Sequence, residues 1–127
     1  MITIRTFLPS DDVDQVSIYN EAACALPRFK PATLDEVRRR LRDPEFDPTT
    51  RLFAVEQGRP VGYVTLADSG RVGFPWCRKG REALAVPLFE RALAEMRQRG
   101  VKRVFAAYRT DWEPVWTFFR EQVFTQV

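Results

Sequence analysis

Two short apolar runs separated by a glycine turn constrain this chain more than any other feature. Leu52-Phe53-Ala54-Val55 and Val61-Gly62-Tyr63-Val64-Thr65-Leu66 flank Gln57-Gly58. Runs this short and rich in Val, Tyr and Phe read as strands, and a tight turn joins only strands that run antiparallel. The chain therefore builds an antiparallel pair and must cover its apolar face. Asp68-Ser69-Gly70 turns again, which predicts a third strand over residues 71–74, stopped by Pro75.

The flanking segments supply that cover. Residues 2–7 alternate well enough for a strand, and Ser10 with Asp11 and Asp12 predicts a helix start, with Val13, Val16, Tyr19 and Ala23 as its inner stripe. Pro27 and Pro31 mark a loop. Thr33-Leu34-Asp35-Glu36 is a capping box, since Thr33 and Glu36 each satisfy the other's orphan N–H, and Leu34, Val37 and Leu41 follow at helical spacing. Leu84, Leu88, Ala92 and Met96 recur every four residues, predicting a long amphipathic helix that ends at Gly100. Pro87 belongs in a first turn, which puts the start at Ala83 or Leu84. An apolar strand is expected over residues 101–108, a last helix over 113–122, and a further strand from Phe124. The order β-α-α-β-β-β-α-β-α-β predicts an α+β fold, a mostly antiparallel mixed sheet with helices on both faces.

Composition narrows the chemistry. A chain of 127 residues suits one domain, residues 1–127. Zero histidine excludes a Ser-His-Asp triad, a Cys-His nucleophile and an imidazole metal site, so no metal is expected. Cys24 and Cys77 stand alone, which points to free thiols, packing roles and a reducing, cytoplasmic setting. No apolar run approaches the ~20 residues of a membrane span, and the N-terminus lacks the apolar core of a secretory signal. A net charge of +3 is too modest to imply nucleic acid. Arg38-Arg39-Arg40 and Arg42 read as a solvated face paired to Asp35, Glu36 and Asp43, with nucleic-acid contact the sharper alternative. Trp112 and Trp116 read as packing residues.

Four segments in order carry a resemblance. Ile4-Arg5-Thr6-Phe7-Leu8-Pro9-Ser10-Asp11 is an opening strand and helix. Gly58-Arg59-Pro60-Val61-Gly62-Tyr63-Val64 follows as the hairpin, and Arg78-Lys79-Gly80-Arg81-Glu82-Ala83 precedes the long helix. Asp111-Trp112-Glu113-Pro114 leads to Phe118-Phe119-Arg120-Glu121-Gln122-Val123-Phe124. Together they resemble the GNAT superfamily of acetyl-CoA-dependent N-acetyltransferases. Departures are visible in the same segments. Arg81 stands at the pyrophosphate loop's first glycine, Trp112 at an asparagine, Phe119 at a tyrosine often used as general acid, and Val123 at a glycine. The chain also ends where the family's last two strands begin.

The resemblance implies acetyl-CoA as co-substrate and direct attack by an amine of a small molecule or peptide. It places the diphosphate on Arg78, Lys79, Gly80, Arg81 and Ala83, where amides at a helix head and cationic side chains suit a polyanion. It places the pantetheine arm along the backbone of Val72, Gly73 and Phe74. Tyr108 is then the candidate general acid, and Glu21, with Asp111 beside it, the candidate base. A second reading stays open: an inert CoA-binding or structural module, half of a tandem or dimeric assembly. The unpaired sheet edge after Val127 is expected to meet a second copy or a second GNAT-like half.

Overall fold

The structure, a computed structural model, describes residues 1–122. The strand expected from Phe124, the Val123 substitution and the sheet edge after Val127 lie outside the described residues. The elements run β1 (Ile2–Thr6), α1 (Asp11–Ala23), α2 (Leu34–Leu41), β2 (Arg51–Glu56), β3 (Arg59–Thr65), β4 (Trp76–Cys77), α3 (Ala85–Gln98) and α4 (Glu113–Glu121). The four strands form one antiparallel sheet in the order β1-β2-β3-β4. The fold is α+β, as the element order predicts. Among the described residues no helix is long and apolar enough to cross a membrane.

The β2–β3 hairpin closes through Gln57 and Gly58, both at positive φ (50° and 77°), the backbone a two-residue primed turn requires. The register slips between Ala54 and Val55, so that Val55 pairs with Pro60. That bulge accommodates a proline, which has no N–H for the ladder. It also leaves the carbonyls of Pro60 and Val61 to accept from Arg78, through Nε at 3.2 Å and the backbone N–H at 2.9 Å.

Two expected strands are corrected. Residues 71–74 form no regular strand; they make single bridges, Leu66 to Val72 and Arg71 to Phe105. The third hairpin strand is β4, after Pro75 rather than before it, pairing Gly62 with Cys77 and Tyr63 with Trp76. Residues 101–108 likewise form no regular strand; their single bridge is that of Phe105 to Arg71. A ladder needs a neighbour that stays alongside, and the 71–74 segment leaves at Phe74, whose N–H turns to the Tyr108 hydroxyl at 2.7 Å. Gly73 holds the departure point: its N–H donates to the Thr65 carbonyl at 2.8 Å, and a Cβ there would lie 2.5 Å from Thr65 Oγ1.

The inner face of α1 is rotated from the expected stripe. Ala23 is buried as expected, but Val13 is exposed, and Asp11, Asp12, Gln15 and Ile18 are buried instead. Asp11 explains part of the rotation. Its carboxylate accepts from both terminal nitrogens of Arg5, at 2.7 and 3.1 Å, and from the Leu8 N–H at 2.7 Å. Ser10 precedes the helix but makes no side-chain cap. In α2 the Thr33–Glu36 capping box forms in full. The crossover helix begins one or two residues later than expected, because Glu82–Leu84 is a 3-10 turn and α3 starts at Ala85.

Neighbouring strand residues point to opposite faces. Leu88 of α3 lies against Gly62, 3.1 Å from where a Cβ would stand, so α3 covers that face. Tyr63 points the other way, stacked on Phe53 (5.6 Å, 24°), toward α1. Between these layers Phe53, Leu88, Phe89, Met96 and Phe119 are essentially inaccessible. Each such side chain contributes about 1.5–3 kcal/mol by leaving water.

Candidate functional site

The gap opened at Phe74 is the centre of two clefts. Aromatic rings line it: Phe74 against Trp76 (4.6 Å), Trp76 edge-on to Tyr108 (6.3 Å), and Tyr108 stacked on Phe119 (6.1 Å, 24°). Tyr108 thus presents a phenol beside Phe119, the ring that stands at the tyrosine position of the resemblance. Burial pushes the Tyr108 hydroxyl above its ordinary pKa, opposed by the Phe74 N–H it accepts. It therefore remains a neutral O–H, able to donate. Trp112 packs behind Trp76 and Tyr108, its Nε1 donating to the Pro27 carbonyl at 2.7 Å.

One cleft, of about 720 Å³, runs from Phe74, Pro75 and Trp76 between α1, α4 and the head of α3. Its throat is apolar, with Val115 and Phe118 opposite Phe74, and Lys79, Glu82 and Ala85 lie at its helix-head end. The sequence-predicted loop is here, and its amides divide into two sets. The Lys79 N–H donates to Glu21 at 2.7 Å, the Gly80 N–H to Glu82 at 2.9 Å, and the Arg81 N–H to the Arg78 carbonyl at 2.9 Å. The N–H groups of Glu82 and Ala83 donate to nothing among the described residues. Gly80, at φ 85°, makes the turn that the missing glycine at Arg81 would otherwise make.

The three loop cations are less free than their sequence suggests. Arg78 reaches Asp14 at 3.2 Å, Glu21 at 3.5 Å and Ser17 at 3.0 Å. Arg81 pairs with Glu56 at 2.7 Å. Lys79 alone lines the cleft, together with Glu21, Glu82, Glu113 and Glu121. The loop is therefore an arginine-acid lattice holding two open amides.

Glu21, the candidate base, spends both carboxylate oxygens on this lattice, one on Arg78 and one on the Lys79 amide. Asp111 is likewise occupied, forked by Arg109 at 2.9 Å, and Arg109 holds it below the usual carboxylate range. Along residues 72–74 every N–H already has a protein partner: Val72 to the Phe105 carbonyl, Gly73 to Thr65, Phe74 to Tyr108. Carbonyls at those three positions accept no backbone bond among the described residues. Cys77 is buried and its thiol pushed up to about 12 by burial, which removes it as a nucleophile. Cys24 is exposed, a correction to its expected packing role.

The second cleft, about 460 Å³, shares Trp76 with the first and includes Tyr108 and Gly73 in its wall. Its polar lining escapes a motif-based reading: Gln15, Arg40, Arg51 and Arg71 belong to no signature. The signal was present at Arg51, which lies two residues before Phe53 and so faces inward with it. Arg38, by contrast, pairs across to Asp12 of α1 at 2.9 Å rather than to the acids of its own helix.

No protein-family model and no curated protein matches the sequence. Solved structures do. The N-acetyltransferase of Staphylococcus aureus Mu50 superposes with a TM-score of 0.79 at 18% identity, over 100% of this chain and 85% of that one. The ribosomal-protein-S18-alanine N-acetyltransferase of Escherichia coli gives 0.77 at 14% identity, over 100% and 79%. A GNAT family acetyltransferase of Brucella melitensis, solved in complex with acetyl-CoA, gives 0.75 at 19% identity, over 99% and 84%. The chain therefore has the fold of the GNAT N-acetyltransferases.

Proposed function

We propose that the protein is an N-acetyltransferase that moves an acetyl group from acetyl-CoA to a primary amine by direct attack. The observation that carries this reading is the parting of the backbone at Phe74. Its N–H is held by the Tyr108 hydroxyl, and an apolar cleft leads from there to the open amides of Glu82 and Ala83. Bound acetyl-CoA supplies the activated thioester. The chain's own residues supply a slot for the arm, donors for the diphosphate and a phenol at the reacting end.

The amine nitrogen forms its bond to the acetyl carbon, the carbon–sulfur bond breaks, and the departing sulfur takes the Tyr108 proton. Solvent reprotonates Tyr108 and accepts the proton lost by the amine. Glu21 acts in this reading as a positioning residue, fixing Lys79 and Arg78 so that the loop amides keep their direction. General-acid help of this kind contributes about 10²–10⁴-fold.

Incubation of the purified chain with acetyl-CoA and a panel of amines, read by free thiol release and by mass spectrometry of acetylated product, tests the proposal. Amine-dependent thiol release supports it. No turnover across the panel, with no thermal shift on adding CoA, overturns it.

A further inference from the structure

We infer that the amine acceptor carries an anionic group, carboxylate or phosphate, held by Arg51 in the second cleft. This deepens the transferase reading and rests on it for the word acceptor; the anion site itself does not.

Arg51 opens β2 and is 9% exposed, yet its guanidinium makes no ion pair or side-chain hydrogen bond among the described residues. Its nearest aromatic support is Phe46, whose ring centre lies 5.2 Å from Cζ. Burying a cation without a counter-charge is costly, and such a charge persists where a ligand completes it. Here the cost is compounded, because Arg40 and Arg71 line the same cleft and none of the described lining residues is acidic. Arg40 and Arg51 line one cleft, where burial, followed by the charge of Arg40, pulls Arg51 below its ordinary pKa.

A second orphan has the opposite demand. Gln15, 7% exposed on α1, keeps its Oε1 buried in the same cleft without a donor. Arg51 Nε needs an acceptor and Gln15 Oε1 needs a donor. An amine that bears an anion provides both, the ammonium or amine N–H to Gln15 and the anionic oxygens to Arg51. Planar bidentate recognition of carboxylate or phosphate is what a guanidinium does best. The volume, about 460 Å³, suits a ligand of amino-acid size. Tyr108 and Gly73 in the wall bring that ligand beside the gap at Phe74.

The test is calorimetric titration of the whole chain with three probes that share a primary amine: β-alanine, O-phosphoethanolamine and β-alaninamide. At least one anionic probe is expected to bind tenfold or more tightly than the neutral amide, and the better of the two identifies carboxylate or phosphate. Arg51→Met should erase that preference. Arg40 is exposed, so Arg40→Ala keeps the fold and should reduce the preference severalfold. Equal affinity for all three probes, no saturable binding of either anion, or an unchanged preference in folded Arg40→Ala and Arg51→Met proteins overturns the inference. Thiol release from acetyl-CoA, measured alongside, separates the two claims. Anion-selective binding with no transfer to any amine of the panel and no thermal shift with CoA sinks the transferase reading and keeps the site; transfer with no anion preference does the reverse.

Discussion

The Tyr108 hydroxyl accepts the Phe74 N–H at 2.7 Å across 34 residues of chain. One hydrogen bond thereby marks where the sheet parts and leaves a phenol at the parting. The backbone group satisfied there would otherwise be a buried orphan, so structure and proposed chemistry share an atom.

Tyr108→Phe separates the two roles. Losing the acceptor is expected to cost about 1–3 kcal/mol of stability, read by urea denaturation. Losing the proton is expected to lower kcat about 10²-fold or more with little change in KM for acetyl-CoA. The raised pKa of Tyr108 also means that kcat should show no fall from phenol ionisation below pH 10. Unchanged kcat in the folded variant would remove Tyr108 from the reaction.

Glu82 occupies the Gly80 amide with its own carboxylate. Glu82→Ala frees that donor and removes one negative charge from the end of the cleft proposed for the diphosphate. An exposed charge contact is worth about 1 kcal/mol or less, so acetyl-CoA should bind roughly three- to fivefold more tightly, read by fluorescence or calorimetry. Weaker binding would mean that the carboxylate shapes the loop instead of competing for it.

Arg38 binds Asp12 between α2 and α1, and holds its carboxyl below the ordinary value. The folded carboxylate takes up protons less readily than the unfolded one, so this contribution is present above the ordinary carboxylate pKa. It is lost as pH falls through the depressed folded value, that is, below about pH 4. Denaturation curves from pH 6 to pH 2.5 should therefore fall more steeply for the native chain than for Arg38→Met. Parallel curves would show that the pair adds nothing.

The thiols should differ sharply in reactivity. Cys24 is exposed and should react with an aromatic disulfide reagent within minutes at pH 8, while Cys77, buried and high in pKa, should react only on unfolding. Fast modification of both thiols in the folded chain would contradict the packing around β4.

Much of the framework was legible in linear order, because its causes are local. The Thr33–Glu36 box needs only four residues, the Gln57-Gly58 turn two, and the α3 stripe a repeat of four. Each forms where the residues dictate. Non-local partners caused the misses. Residues 71–74 and 101–108 have strand-like composition, but whether a strand forms depends on a neighbour, and the N–H of Phe74 found a phenol instead. Val13 lost its inward place because Asp11 found Arg5 and Leu8.

The site divides along the same line. Residue order alone determined that an antiparallel hairpin, a capped second helix and a basic loop ahead of a long helix would exist, since backbone propensity and periodicity act over a few residues. Tertiary structure alone decided what the charges do. Arg78 and Arg81 were claimed by Asp14, Glu21 and Glu56, whereas Arg51, inconspicuous at the head of a strand, was left buried and unpaired among the described residues. The energy of a charge depends on its burial and its partners, and both come from chain segments brought together only by folding.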